Sequence, residues 1–160
     1  MNIFTHNGMR RIGTALALAA VAGSGTVAAA APAVAGQSTT QAICNVYNGF
    51  RFQPAGSTAV YLVIDGERHQ VPNEATYFRL WATWNGIQPN GGVCDLGDPL
   101  IDGAYLAREL ETGNVYLVGR RKRWIPNMTV FNQYSFDPAR IRDEGRDYLP
   151  SRGPDIPERL

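Results

Sequence analysis

Histidine, lysine and cysteine are scarce in this chain. Its 160 residues include 2 histidines and 2 cysteines, and Lys122 is the sole lysine. His6 falls in a segment read below as a removable leader, so His69 stands alone. One imidazole with no free thiol beside it does not make up a zinc set. Ser57, His69 and an aspartate would form a triad on paper only, because no strand–nucleophile–helix elbow accompanies them. Asp95, Asp98 and Asp102 cluster after Cys94, but Asp95-Leu96-Gly97-Asp98 lacks the ligand density of a calcium loop. Asp98-Pro99 and Asp102-Gly103 are pairs that turn geometry selects. No catalytic residues, metal or cofactor are therefore expected. A charged excess is also missing, since the formal net charge is +1. That gives no general attraction to nucleic acid or to an acidic membrane.

The start of the chain has no acid at all. Met1 to Arg11 is polar and carries Arg10 and Arg11. Ile12 to Ala35 is uncharged and rich in Ala, Val, Leu and Gly, ending in Ala33-Val34-Ala35. This is the pattern of a secretory signal peptide over 1–35, with cleavage near Ala35–Gly36 and Ala29-Ala30-Ala31 as an earlier site. Gly23, Gly25 and Pro32 interrupt the stretch and argue against a retained anchor. The mature chain is then secreted, about 125 residues long, and of a size for one domain. Loss of the two leader arginines brings it near a charge of about −1. In an oxidising compartment Cys44 and Cys94 are expected to form a disulfide.

What is present is duplication. Val60-Tyr61-Leu62-Val63 precedes Val71-Pro72-Asn73, and Val115-Tyr116-Leu117-Val118 precedes Ile125-Pro126-Asn127. The first blocks lie about 55 residues apart and the second about 54, so one residue is lost between them. An internal repeat signals one structural unit used twice. In the first copy Ala59 to Ile64 reads as a strand and Asp65-Gly66 as a hairpin turn, with Glu67 to Val71 returning. Pro72 stops the pairing, and Asn73 caps a helix that Tyr77, Phe78, Trp81 and Trp84 line as an aromatic stripe up to Asn85-Gly86. In the second copy Ala104 to Leu110 reads as a strand and Glu111 to Asn114 as a turn. Val115 to Val118 pairs with Arg121 to Ile125 around a Gly119-Arg120 tip. Asn127 caps a helix through Met128, Val130, Phe131 and Tyr134, and Asp137-Pro138 opens a short helix holding Ala139 and Ile141.

The expected architecture is a β-rich α+β fold. Two tandem hairpin-plus-helix repeats, about 42–103 and 104–149, pack with approximate two-fold symmetry, because neither can bury its apolar face alone. Gly36 to Gln41 forms a flexible lead. The segment 150–160 is rich in proline and is either a packed strap or disordered.

The strongest charge cluster is Arg120-Arg121-Lys122-Arg123, beside Trp124. The equivalent tip of the first hairpin presents Asp65 and Glu67, so two similar backbones carry different electrostatic faces. These seven residues are the candidate partner-binding set, against the plainer reading of a cation-protected hairpin edge. Trp81 and Trp84 fall at core spacing, and Trp124 is the better candidate for an exposed contact.

The pattern Gly113-Asn114-Val115-Tyr116-Leu117-Val118 followed by Arg123-Trp124-Ile125-Pro126 resembles a recurring module of secreted bacterial proteins, usually appended to other domains and not a catalyst. A small exported chain with two such modules resembles the adaptor subunit of actinobacterial umbrella toxin particles. That resemblance implies a non-catalytic connector between a toxin-bearing subunit and others of trypsin-like and lectin type. The function expected is a secreted adaptor that binds other proteins. A cell-wall or carbohydrate-binding module and a secreted protease inhibitor are the alternatives.

Overall fold

A computed structural model describes residues 44–89 and 94–160; the expected leader, the flexible lead and Asn90 to Val93 lie outside the described residues. Over the described residues the fold is mixed α+β and strand-rich, with two four-stranded sheets and short helices. The first sheet holds β1 (Arg51–Gln53), β2 (Tyr61–Ile64), β3 (Glu67–Gln70) and β4 (Ile87–Pro89), in the order β3-β2-β1-β4. The second holds β5 (Tyr105–Glu109), β6 (Val115–Val118), β7 (Lys122–Trp124) and β8 (Ile141–Glu144), in the order β7-β6-β5-β8. In both, the outer strand that follows the helix runs parallel to the first strand, and the other pairings are antiparallel.

The registers correspond. Arg51 stands opposite Leu62 on one side and Ile87 on the other. Leu106 stands opposite Leu117 and Ile141. The first hairpin turns through Asp65 (φ 56°) and Gly66 (φ 73°), the paired positive φ values of a type I′ turn. Four residues separate Val63 from its partner Arg68, whereas three separate Val118 from Lys122, so the second hairpin is one residue shorter at its tip.

Asn73 and Asn127 both cap helices, accepting from Thr76 N (2.8 Å) and Val130 N (2.9 Å). The first helix, α1 (Glu74–Tyr77), is much shorter than its aromatic spacing predicts, and Trp84 lies in a loop beyond it. The carbonyls of Thr83 and Asn85, which a longer helix would use internally, instead accept from the buried Arg51 guanidinium at 3.2 and 2.6 Å. The second helix, α2, spans Met128–Gln133. Asp137 caps a single 3-10 turn, Pro138–Arg140, through Ala139 N at 2.9 Å. Ile141 then enters β8 and not the expected helix, because the open edge of β5 takes up its backbone.

The proline-rich C-terminal segment is a packed strap. Lys122 N donates to Ser151 O, Gly153 N to Lys122 O and Ile156 N to Trp124 O, which adds a parallel strip beside β7. In the same way Arg68 N donates to Asp95 O, Gly97 N to Arg68 O and Leu100 N to Gln70 O beside β3. Ile156 is buried, and the Arg159 guanidinium reaches the carbonyls of Asn48 (2.8 Å) and Gln133 (2.6 Å).

One hydrophobic core is shared by both sheets. It gathers Leu62, Ile64, Tyr77 and Trp81 with Leu106, Leu117, Phe131 and Tyr134. Each such side chain contributes about 1.5–3 kcal/mol by leaving water. The Trp81 indole donates to Tyr134 O (3.0 Å), and Asp137 N donates to Leu80 O (2.9 Å). The expected disulfide is present: Cys44 and Cys94 are bonded, with Cα atoms 5.7 Å apart, in a smaller cluster with Phe52 and Val63. Among the described residues no helix is long and apolar enough to cross a membrane.

Candidate functional site

The basic run occupies the tip and return strand of the second hairpin, and its four cations go to different places. On a strand, neighbouring side chains point to opposite faces. Lys122 opens β7 pointing inward and is buried against Glu109, with Nζ 3.4 Å from Oε1 and 4.9 Å from the centroid of the Tyr116 ring. Arg123 points the other way, to Asp65 of the first hairpin (2.8 Å), and also donates to Pro154 O and Asp155 O. Those two candidates therefore meet each other. Arg120 and Arg121 are exposed on the loop before β7. Trp124 is half-buried beneath the Arg152 guanidinium, 5.5 Å from the ring centroid. Glu67 lies half-buried against Gly97, where an added Cβ would come within 2.6 Å of its Oε2.

Glu109 is an acid that sequence reasoning passed over. It ends β5 only 3% exposed, and its carboxylate accepts from Arg146 Nε (2.8 Å), Thr112 Oγ1 (2.8 Å), Tyr116 OH (3.1 Å) and Lys122 Nζ. The Arg146 guanidinium foremost, then the Thr112 hydroxyl, hold its pKa down at about 2, against an ordinary 4.5. With four donors placed around it, this carboxylate serves as a fixed anion that locks the β5–β6–β7 surface. A carboxyl whose pKa is depressed on folding stabilises the fold above its unfolded value and loses that contribution as pH falls toward its folded value. The thermal midpoint of the wild type should therefore exceed that of Glu109→Gln at neutral pH. The gap should close between about pH 4.5 and pH 2. A gap independent of pH over that window would contradict the assignment.

Between the hairpins lies a groove of about 310 Å³. Ile64, Leu100, Ile101, Ala104 and Leu117 supply apolar lining, and Arg120 and Arg121 contribute cations. His69 borders it, with Nδ1 2.7 Å from Asp98 O and Nε2 3.1 Å from Ile64 O, so both ring nitrogens are occupied by the surrounding backbone. Neither Arg120 nor Arg121 has an ion-pair partner among the described residues. Chemically, the groove offers apolar burial beside two guanidinium groups that have no ion-pair partner among the described residues, with Asp98 also on its lining. Among the described residues no group of three His, Cys, Asp or Glu side chains gathers to hold a metal.

On the opposite flank, Trp81 is core and Trp84 is 43% exposed, stacked on Tyr77 with ring centroids 3.9 Å apart. The helical spacing that places both in the core fails at Trp84 because the helix ends first. No family model, curated protein or solved structure matches this chain.

Proposed function

We propose that this protein is a secreted, non-catalytic adaptor built from one unit written twice about an approximate two-fold axis, and that it assembles with other secreted proteins. The duplication reading is supported by the matched strand orders, the matched pairings of Arg51 and Leu106, the paired asparagine caps and the backbone strips beside β3 and β7. The resemblance to the adaptor of umbrella toxin particles supplies the setting, an extracellular antibacterial toxin complex linking toxin-bearing and lectin-bearing subunits.

The observation that carries the binding reading is the groove with its two arginines, which have no ion-pair partner among the described residues. Of the four clustered cations, the fold spends Lys122 on Glu109 and Arg123 on Asp65 and leaves Arg120 and Arg121 at the groove. An apolar lining provides contact area, while exposed charge at the rim selects and steers the partner. The partner is a protein segment with apolar side chains flanked by carboxylates.

The test is the native mass of the chain in the medium of the cells that make it, for the wild type and for Arg120→Glu with Arg121→Glu. Both positions are exposed, so the double variant should keep its fold. The wild type is expected in a complex larger than itself, and the variant to lose partner affinity by about tenfold or more. A wild type found only as a free chain would overturn the reading.

A further inference from the structure

A buried arginine stands where the second half of the protein uses a leucine. Arg51 is 5% exposed and takes the same place in its sheet, between Leu62 and Ile87, that Leu106 takes between Leu117 and Ile141. Its neighbour Tyr77 lies four residues after the Asn73 cap, as Phe131 lies four after Asn127. The core thus accepts one aliphatic and one aromatic side chain at these positions, and burying a guanidinium in place of the aliphatic one is costly unless it is fully bonded. Arg51 is bonded to the loop that carries Trp84. It donates to the carbonyls of Thr83 (3.2 Å) and Asn85 (2.6 Å), the two residues flanking Trp84, and to the Tyr77 hydroxyl. Tyr77 in turn donates to Thr83 O at 2.8 Å. The polar pair that distinguishes the first half from the second therefore fixes the position of one tryptophan.

That tryptophan is presented outward. Tyr77 covers one face of its indole (interplanar angle 21°) and Phe78 meets its edge, yet 43% of the residue remains exposed. It forms a wall common to two hollows of about 560 and 380 Å³. Their polar lining is nearly neutral: Gln53, Thr58 and Gln88 in one, Thr58, Gln70 and Asn73 in the other, with Glu74 the only charged side chain. Among the described residues no lysine or arginine lines either hollow, so a phosphate or carboxylate ligand meets no counter-charge from them. A flat aromatic face with amides and hydroxyls around it matches a pyranose ring, whose C–H face packs on the indole and whose hydroxyls exchange hydrogen bonds with the amides.

We propose that Trp84 is the platform of a binding site for a neutral saccharide, with Arg51 as the residue that positions it. This site is separate from the arginine-bearing groove and does not depend on the adaptor reading. The test follows the three indole N–H resonances by NMR while chitotetraose or cellotetraose is added to the purified protein. A saturable shift at Trp84, with a midpoint at about millimolar sugar, is the expected result. Trp84→Ala should weaken binding by about tenfold or more. Arg51→Leu should weaken it as well while the indole of Trp124, which stacks under Arg152 away from Arg51, keeps its wild-type resonance, which separates loss of positioning from loss of fold. Absence of any Trp84 shift with both sugars would overturn the proposal. So would unchanged binding in Trp84→Ala, or a response confined to a proline-rich peptide used as the competing probe.

Discussion

Replacing Trp81 with alanine is expected to destabilise the protein by about 3–5 kcal/mol, the range for deleting a fully buried large aromatic. Trp81 is 1% exposed and joins the two halves of the chain. Its ring lies 4.7 Å from Tyr77 and 5.9 Å from Phe136, and its indole N–H donates to Tyr134 O. Alanine removes the packing on both sides as well as the hydrogen bond. Phenylalanine retains most of the bulk and should lose mainly the bond, about 0.5–1.5 kcal/mol. Set against a typical total of about 5–15 kcal/mol, the alanine change alone can leave a small domain largely unfolded. Urea denaturation followed by circular dichroism measures both variants. A Trp81→Ala protein within about 1 kcal/mol of wild type would mean that the halves do not depend on a common core.

The second large effect belongs to the disulfide. Cys44 and Cys94 are 50 positions apart, and closing a loop of that length removes enough unfolded-state freedom to stabilise the fold by about 4 kcal/mol. The bond lies in a cluster with Phe52 of β1 and Val63 of β2, with Tyr47 and Phe50 packed beside it. Cys44→Ser with Cys94→Ser should therefore lower the urea midpoint strongly, by an amount comparable with Trp81→Ala. Reduction of the wild-type protein should do the same. A midpoint unchanged by both treatments would show that the N-terminal cluster holds itself together without the bond.

Much of the framework is local and so was legible in the residues. Asp65-Gly66 dictates a two-residue turn whatever surrounds it, and both residues take positive φ. Asn73 and Asn127 cap their helices through their own side chains. A chain with only two cysteines leaves one pairing. The strands β4 and β8 were not legible, because a three- or four-residue edge strand takes its structure from a parallel partner more than thirty positions earlier. Trp84 misled because helical spacing matters only while a helix lasts, and the feature that ends this one is a guanidinium arriving from β1. The arginine run reads as one charged face, yet the two-residue period of a strand sends Lys122 to Glu109 and Arg123 to Asp65. Applied to β7, that period would have set Lys122 and Arg123 on opposite faces, but the pairing of Arg123 with Asp65 comes from another hairpin and has no local sign. Glu109 gave no local sign, since its donors come from Thr112, Tyr116, Lys122 and Arg146, spread over almost forty positions.

The proposed adaptor role rests on whether the groove between the hairpins is occupied in the native setting. The most direct measurement is the native mass of the protein as its producing cells release it, by size exclusion with light scattering in dilute salt. A mass well above that of the chain, returning to the chain's own mass in Arg120→Glu with Arg121→Glu, is the predicted result. A wild-type protein that elutes at its own mass alone would contradict it.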